Sequence, residues 1–247
     1  MKFSKILSNL LEEIFPDWRE MFLSYKYLKK QLKLIYPKEG DEPPAKRLRL
    51  ADGDGDCDGD GGDLAAAEIN DDGEVTKEVA DFVKLLREQI EKFNEFFLQK
   101  EEDYVIAWKE LQDRIEKAKD ANEDLAEVGR KVVDLHGEMV LLEIYSILNY
   151  TGLVKITKKH DKRSGAPLIR MPFIQSVLQQ PFFSIDVLNK LVKECETMLD
   201  SIFSERELAE IQHLENTYVK LTLLALRVLR EIRGGSSTVS EFSLPPL

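Results

Sequence analysis

VTKEVADFVKLLREQIEKFNEFFLQKEEDYVIAWKELQDRIEKA, residues 75–118, decides the fold. Val75, Val79, Phe82, Leu86, Ile90, Phe93, Phe97, Tyr104, Trp108, Leu111, Ile115 and Ala118 recur at three- and four-residue intervals, with one seven-residue step from Phe97 to Tyr104. That spacing keeps one apolar face through roughly 45 residues of helix. At ~1.5 Å per residue the rod is roughly 65–70 Å long. Lys119–Asn122 predicts a turn. Leu125, Val128, Val132, Leu135, Met139, Leu142, Tyr145 and Leu148 open a second stripe that continues to about Lys162. Two rods this close in sequence are expected to pair antiparallel.

Upstream, Phe3, Ile6, Leu7, Leu10, Leu11 and Ile14 mark a first helix from Lys2 to Phe15, which Pro16 ends. Trp18, Met21, Phe22, Tyr25, Leu28, Leu32 and Ile35 predict a second, from Asp17 to about Tyr36, so the pair reads as a helical hairpin. Between Pro37 and Gly73 the pattern collapses into Asp-Gly alternation, which buries too little surface to offset chain entropy and predicts a disordered acidic insert. Downstream, Arg163–Pro167 reads as a loop, and helices are expected around Met171–Gln179 and Ser184–Phe203. A last helix is expected to open at Ser204, with Glu207 completing a capping box, and to end at Gly234-Gly235. No segment alternates as a strand. The fold class is all-α: an N-terminal hairpin on two long antiparallel helices, followed by shorter ones. The domain boundaries are 1–203 for the body, 204–233 for the C-terminal helix and 234–247 for a disordered tail.

Of the 247 residues, 43% are hydrophobic and 33% charged, which suits long solvated helices around one core. No apolar run approaches the ~18 residues that span a bilayer. The start of the chain is basic and apolar, but Glu12 and Glu13 interrupt it before a secretory core is long enough. Cys57 and Cys195 fit no zinc spacing and are too few for a disulfide framework, so a reducing compartment is the simplest reading. The net charge of −11 is unevenly spread: residues 38–73 hold twelve acidic and four basic residues, a balance of −8, leaving −3 for the rest. An anion site depends on the local field rather than that total.

Catalytic constellations are missing from the sequence. His136, His160 and His213 are scattered without a nucleophile or metal-ligand spacing, and each reads as a surface or half-buried helical residue. Asp54, Asp56, Asp58 and Gly59 imitate the opening of a calcium loop, but its twelfth position is Ala65 and no amphipathic helix enters it. An acidic linker is the better reading, and no metal or cofactor is expected.

The informative run is Lys155-Ile-Thr-Lys158-Lys159-His160-Asp161-Lys162. Lys155, Lys158, Lys159 and Lys162 fall at i, i+3, i+4 and i+7, on one helix face. Stacked like charges cost helix stability unless an anion neutralises them, although a helix C-terminus offsets part of that cost. A second basic face carries Tyr25 and Lys29 at i, i+4, with Lys26, Lys30 and Lys33 nearby. A phenol beside an ammonium makes a phosphate clamp of one neutral donor and one point charge. Lys2 precedes the first helix, whose free N–H groups favour anions. Lysines rather than arginines suit a hydrated, multiply charged ligand.

Met1-Lys2-Phe3-Ser4-Lys5, Trp18-Arg19, Tyr25-Lys26-Tyr27-Leu28-Lys29-Lys30 and the Lys155–Lys162 run together resemble the SPX domain. So does the order of two short helices, an acidic insert and two long helices. The likeness covers about residues 1–203 and is nearest to the small stand-alone SPX proteins of plants. It implies a sensor of cellular phosphate that binds inositol polyphosphates or pyrophosphates. It also implies that the loaded protein captures MYB coiled-coil transcription factors, repressing phosphate-starvation responses. Carried over by motif, the ligand-binding cluster falls on Tyr25, Lys29 and Lys159, the surrounding surface on Lys155, Lys158 and Lys162, and the N-terminal lysine on Lys2. Ser4 departs from the glycine usual in the family, which implies a modest change in affinity. The resemblance implies no enzyme, no direct contact with nucleic acid and no membrane, and leaves self-association open.

Two further expectations come from the residues. Pro43-Pro44-Ala-Lys46-Arg47-Leu-Arg49-Leu resembles a monopartite nuclear localisation signal on Lys46, Arg47 and Arg49, so the chain is expected in the nucleus with some in the cytoplasm. The stripe Leu208, Ile211, Leu214, Tyr218, Leu221, Leu224, Ala225, Val228, Leu229 and Ile232 either completes the bundle or offers a partner surface. The competing functional class is a membrane-surface module, whose lysines would bind phosphoinositide headgroups.

Overall fold

The structure is a computed structural model and describes residues 3–37, 77–121, 125–165, 170–202 and 217–234. Its described residues form α1 (Phe3–Glu13), α2 (Tyr25–Ile35), α3 (Lys77–Ala121), α4 (Ala126–Ser164), α5 (Arg170–Val177), α6 (Asp186–Ile202) and α7 (Thr217–Gly234), with no strand among them. Short 3-10 turns lie at Arg19–Met21 and Pro181–Phe183.

The α3 stripe is buried along its length: Phe82, Leu86, Phe93, Phe97, Tyr104, Trp108, Leu111, Ile115 and Ala118 all face the interior. Each fully buried Phe or Leu contributes about 1.5–3 kcal/mol of transfer free energy. The pairing with α4 is antiparallel, as three contacts fix. Phe82 stacks on His160, Phe96 packs on Tyr145, and Arg114 meets Glu127. α3 runs on to Ala121, two residues past the Lys119 at which the turn was expected to begin.

α4 is the central element, in contact with α2, α3, α5, α6 and α7. Neighbours on most sides explain why it is apolar nearly all round. It corrects one expectation, because α4 is long and apolar enough, by length and composition, to cross a membrane. Two-thirds of that window is buried inside the bundle, as befits a core helix.

The predicted helix from Asp17 to Tyr36 is two different things. Residues 14–24 form an irregular connector around the 3-10 turn, and α2 begins only at Tyr25. Tertiary bonds take the backbone groups that a helix would have used. Asn149 Oδ1 accepts the Leu23 N–H at 2.9 Å, and Tyr145 Oη donates to the Met21 carbonyl at 3.0 Å. Lys92 Nζ donates to the carbonyls of Glu20 and Phe22 at 3.0 and 2.7 Å. Phe22 and Leu23 are thereby driven into the core. Gly152 gives Leu23 its room, since a Cβ there would lie 2.5 Å from Leu23 Cδ2. α1 packs chiefly on α7, and α2 on α3 and α4.

On the other side Asn94 fixes the turn before α6, accepting from the Phe182 N–H at 3.2 Å and donating to Gln180 at 2.9 Å. α6 buries Leu188, Leu191, Cys195 and Leu199, and Trp108 Nε1 donates to Glu194 at 2.9 Å. α7 lies against α4 so closely that a Cβ on Gly137 would meet Tyr218 Cβ at 2.6 Å. Tyr218 Oη donates to Glu138 at 2.7 Å, and Ala225, Leu229 and Ile232 are buried. Leu223 points outward, 63% exposed. Lys2, residues 38–76 with the acidic insert and the nuclear-signal residues Lys46, Arg47 and Arg49, the capping box at 204–207, Leu208, Ile211, Leu214 and the tail lie outside the described residues.

Candidate functional site

The end of α4 carries two interleaved stripes. Leu153, Ile156, Thr157 and His160 are buried, whereas Lys155, Lys158, Lys159 and Lys162, displaced by two residues, face away from them. Two residues turn a helix by roughly 200°, so the same helical period that packs one stripe presents the other. Lys158 and Lys162 are exposed, and Lys155 and Lys159 are half-buried. Gly165, at φ 74°, closes the helix, its N–H bonding back to the Asp161 carbonyl at 3.1 Å. A left-handed residue is what lets the helix stop there.

α2 runs alongside this end in the same direction. Contacts pair Met21 with Tyr145, Leu23 with Asn149 and, at the far end, Tyr36 with His160 and Arg163. Lys29 lies between these fixed points, one turn beyond Tyr25. Phe3 joins the three elements: its ring meets the Tyr25 ring edge-on at 5.0 Å, and Lys155 Nζ sits over it at 5.5 Å. The first residues of α1 and α2 therefore meet at Lys155, and helix N-termini add partial positive charge and unpaired N–H groups.

The electrostatics favour an anion. Burial pulls the Lys155 pKa down, and the neighbouring Lys158 charge pulls it further. A bound anion would offset that repulsion. Burial pushes the Tyr25 phenol up to about 12, so it remains a neutral donor. The open groove of about 820 Å³ between α3 and α6 is lined by Lys190 and Lys193 but also by Asp186 and Glu194, whose charges cancel. Among the described residues no group of His, Cys, Asp or Glu could hold a metal ion.

The structure thus brings Tyr25 and Lys155 together through Phe3 and places Lys29 and the Lys158–Lys162 turns at the same end of the bundle. Sequence reasoning missed the role of Phe3 at the site, the connector clamps and the core position of His160, which is only 2% exposed where a surface or half-buried residue was expected. Asn149 was the one visible signal for the clamps, a lone amide inside the apolar run from Leu141 to Leu153.

An SPX domain family model matches residues 122–177, which include the lysine run. The chain is 49% identical over 278 residues to "SPX domain-containing protein 2" of Arabidopsis thaliana, covering all of this chain and 92% of the relative. To "SPX domain-containing protein 1" of the same plant it is 53% identical over 256 residues, with the same coverage. To the protein of that name in Oryza sativa subsp. japonica it is 50% identical over 282 residues, covering all of this chain and 92% of the relative. Among solved structures, the SPX domain of Chaetomium thermophilum glycerophosphodiester phosphodiesterase 1, in complex with inositol hexakisphosphate, superposes with a TM-score of 0.58 at 23% identity. It covers 81% of this chain and 98% of that one, a likeness of fold. Identity of about one residue in two across its full length places the rest beyond doubt: the chain belongs to the SPX domain family.

Proposed function

We propose that this chain is a phosphate-status sensor. It binds inositol polyphosphates or pyrophosphates on Tyr25, Lys29, Lys155, Lys158, Lys159 and Lys162, with Lys2 adding a charge beside Phe3. Its role is regulatory rather than enzymatic. The observation that carries the reading is the alignment of α2 along the end of α4, which sets two lysine-bearing helices and two helix N-termini around one patch. A compact polyanion is the ligand that neutralises such a patch. The inositol hexakisphosphate named for the similar fungal domain has that chemistry. Calorimetry with inositol hexakisphosphate tests the reading, and saturable binding is expected. Liposomes carrying phosphoinositides should not sediment the protein once soluble ligand is present; sedimentation that resists the competitor would favour the membrane-surface reading.

In the same proposal the loaded protein captures a MYB coiled-coil transcription factor in the nucleus, and α7 supplies the partner surface. Leu223 is exposed and Leu221, Leu224 and Leu226 are only partly covered. An amphipathic helix with such a face suits helix-in-groove recognition. Because α1 packs chiefly on α7 and Ala225, Leu229 and Ile232 are buried, removing α7 would open the core, so the test is Leu223→Glu on its exposed face: ligand-dependent capture in pull-downs is expected to fall while inositol hexakisphosphate affinity stays nearly intact. Retained capture would move the surface to α1, α2 or the long helices. Alanine at Lys46, Arg47 and Arg49 is expected to lower nuclear accumulation of a fluorescent fusion, and an unchanged distribution would reject the signal.

A further inference from the structure

A buried polar contact lies directly beneath the lysine-bearing end of α4. His160 is buried, its ring stacked on Phe82 at 5.5 Å and 14°, which fixes the imidazole plane against α3. Its Nε2 is 3.2 Å from the Tyr36 hydroxyl, at the far end of α2. Its Nδ1 is 3.5 Å from Asp161 Oδ1. Arg163 Nη1 donates to the Tyr36 carbonyl at 2.8 Å, so the residue that closes α2 is gripped at both backbone and side chain. The other end of α2 is fixed by the connector clamps. A rigid helix held at both ends has one position, and Lys29 inherits it.

We propose that His160 is a positioning residue for the polyanion site: with Tyr36 it sets where α2 lies along α4, and hence how Lys29 faces Lys159, without touching the ligand. The inference rests on the ligand reading given above. Three features separate this pair from ordinary core packing. It joins helices through a polar contact that has one geometry. It is one residue from Lys159. Its ring can also change charge beneath a cationic surface. Among the described groups, Tyr36 from α2 and Asp161 from α4 face the imidazole, Arg163 holds the Tyr36 carbonyl, Arg170 from α5 acts on Asp161, and α3 presents the Phe82 ring. Burial holds the imidazole below its ordinary pKa, opposed by Asp161, so it is neutral at pH 7.5. A polyanion bound above it favours the charged form. Protonation at falling pH should therefore strengthen binding in the natural protein.

The test is calorimetry with inositol hexakisphosphate between pH 7.5 and 5.5 on the full chain, alongside Tyr36→Phe and His160→Gln. Tyr36→Phe keeps the ring against His160 and the Arg163 bond to the carbonyl, so it is the variant that folds. It is expected to bind roughly 3- to 10-fold more weakly at pH 7.5, an effect of the size of one lost hydrogen bond, with unchanged helical circular dichroism. The affinity ratio of natural protein to His160→Gln is expected to grow as pH falls. The ligand's own phosphates titrate with both proteins and cancel in that ratio. Natural affinity in Tyr36→Phe, or natural affinity in His160→Gln across the pH range, overturns the proposal. Lys29→Ala with Lys159→Ala, run in parallel, separates the two failures: if that pair still binds normally, the ligand site itself is misplaced, whereas if only Tyr36→Phe is silent, the site stands and the positioning role falls.

Discussion

Replacing Lys29 and Lys159 together by alanine is expected to reduce inositol hexakisphosphate affinity by roughly two to four orders of magnitude. Each charge-assisted contact is worth ~1.5–3 kcal/mol, about ten- to a hundred-fold, and two contacts to one rigid anion combine. Neither side chain is part of the buried core, so helical content should not change. The gap between natural and variant protein should narrow as salt rises, because screening weakens exposed lysines more than buried groups. Calorimetry at two ionic strengths reads both effects. Affinity within a factor of two of the natural protein would place the ligand elsewhere.

The largest effect on stability is expected at Tyr145, where α4 meets the connector. Its ring contacts those of Phe22, Phe93, Phe96 and Trp18, with centroids between 4.8 and 6.3 Å apart. Tyr145→Ala should cost about 3–5 kcal/mol, by analogy with other buried aromatic deletions. For a chain of this size that is a fall in Tm of roughly 6–20 °C. Tyr145→Phe keeps the ring and removes the hydroxyl's bonds to the Met21 carbonyl and the Asn149 side chain, so about 1–2 kcal/mol should be lost. Because that carbonyl lies four residues before Tyr25, the Phe variant should also lower ligand affinity more than its small stability loss suggests. Thermal melts with and without inositol hexakisphosphate separate the two contributions; an Ala variant that melts with the natural protein would contradict the packing.

How much of this was legible depended on whether the cause was local. The stripes of α3 and α4 were readable because helical period and burial coincide from Phe82 to Ala118 and from Val128 to Ile156. The lysine run was readable for the same reason, since four charges at helical spacing share a face on one element. The connector was not. Trp18, Met21 and Phe22 have helical spacing, yet their segment is shaped by Lys92, Tyr145 and Asn149, some 70 to 126 residues away. No pattern within a window carries that. His160 could have been placed by noting that it shares a stripe with Leu153 and Ile156, two residues out of phase with the lysines. The expectation that Tyr25 and Lys29 act together with Lys159 came from resemblance, because spacing within either helix says nothing about the other. The apolar content of α4 was underestimated, since only Glu143 interrupts Met139–Val154 with a charge, yet the polar residues Ser146, Asn149 and Thr151 break it into short apolar runs.

The pairing of α2 with the end of α4 has a topological consequence. Leu23 and Asn149 are 126 residues apart, so the segment between them is a loop whose ends must be brought together. Closing such a loop carries an entropic cost that grows as (3/2)RT ln n, before any contact repays it. α3 and α4, separated by four residues of sequence, carry no such burden and can form first. A polyanion that grips both sides of the junction therefore acts as a reversible cross-link. At a hundred times its Kd it adds about 2.7 kcal/mol to the closed form. In the proposed reading, the abundance of a phosphate-rich metabolite is thus converted into the fraction of chains whose ends are tied, and a partner that recognises only the tied form measures that abundance without touching the metabolite.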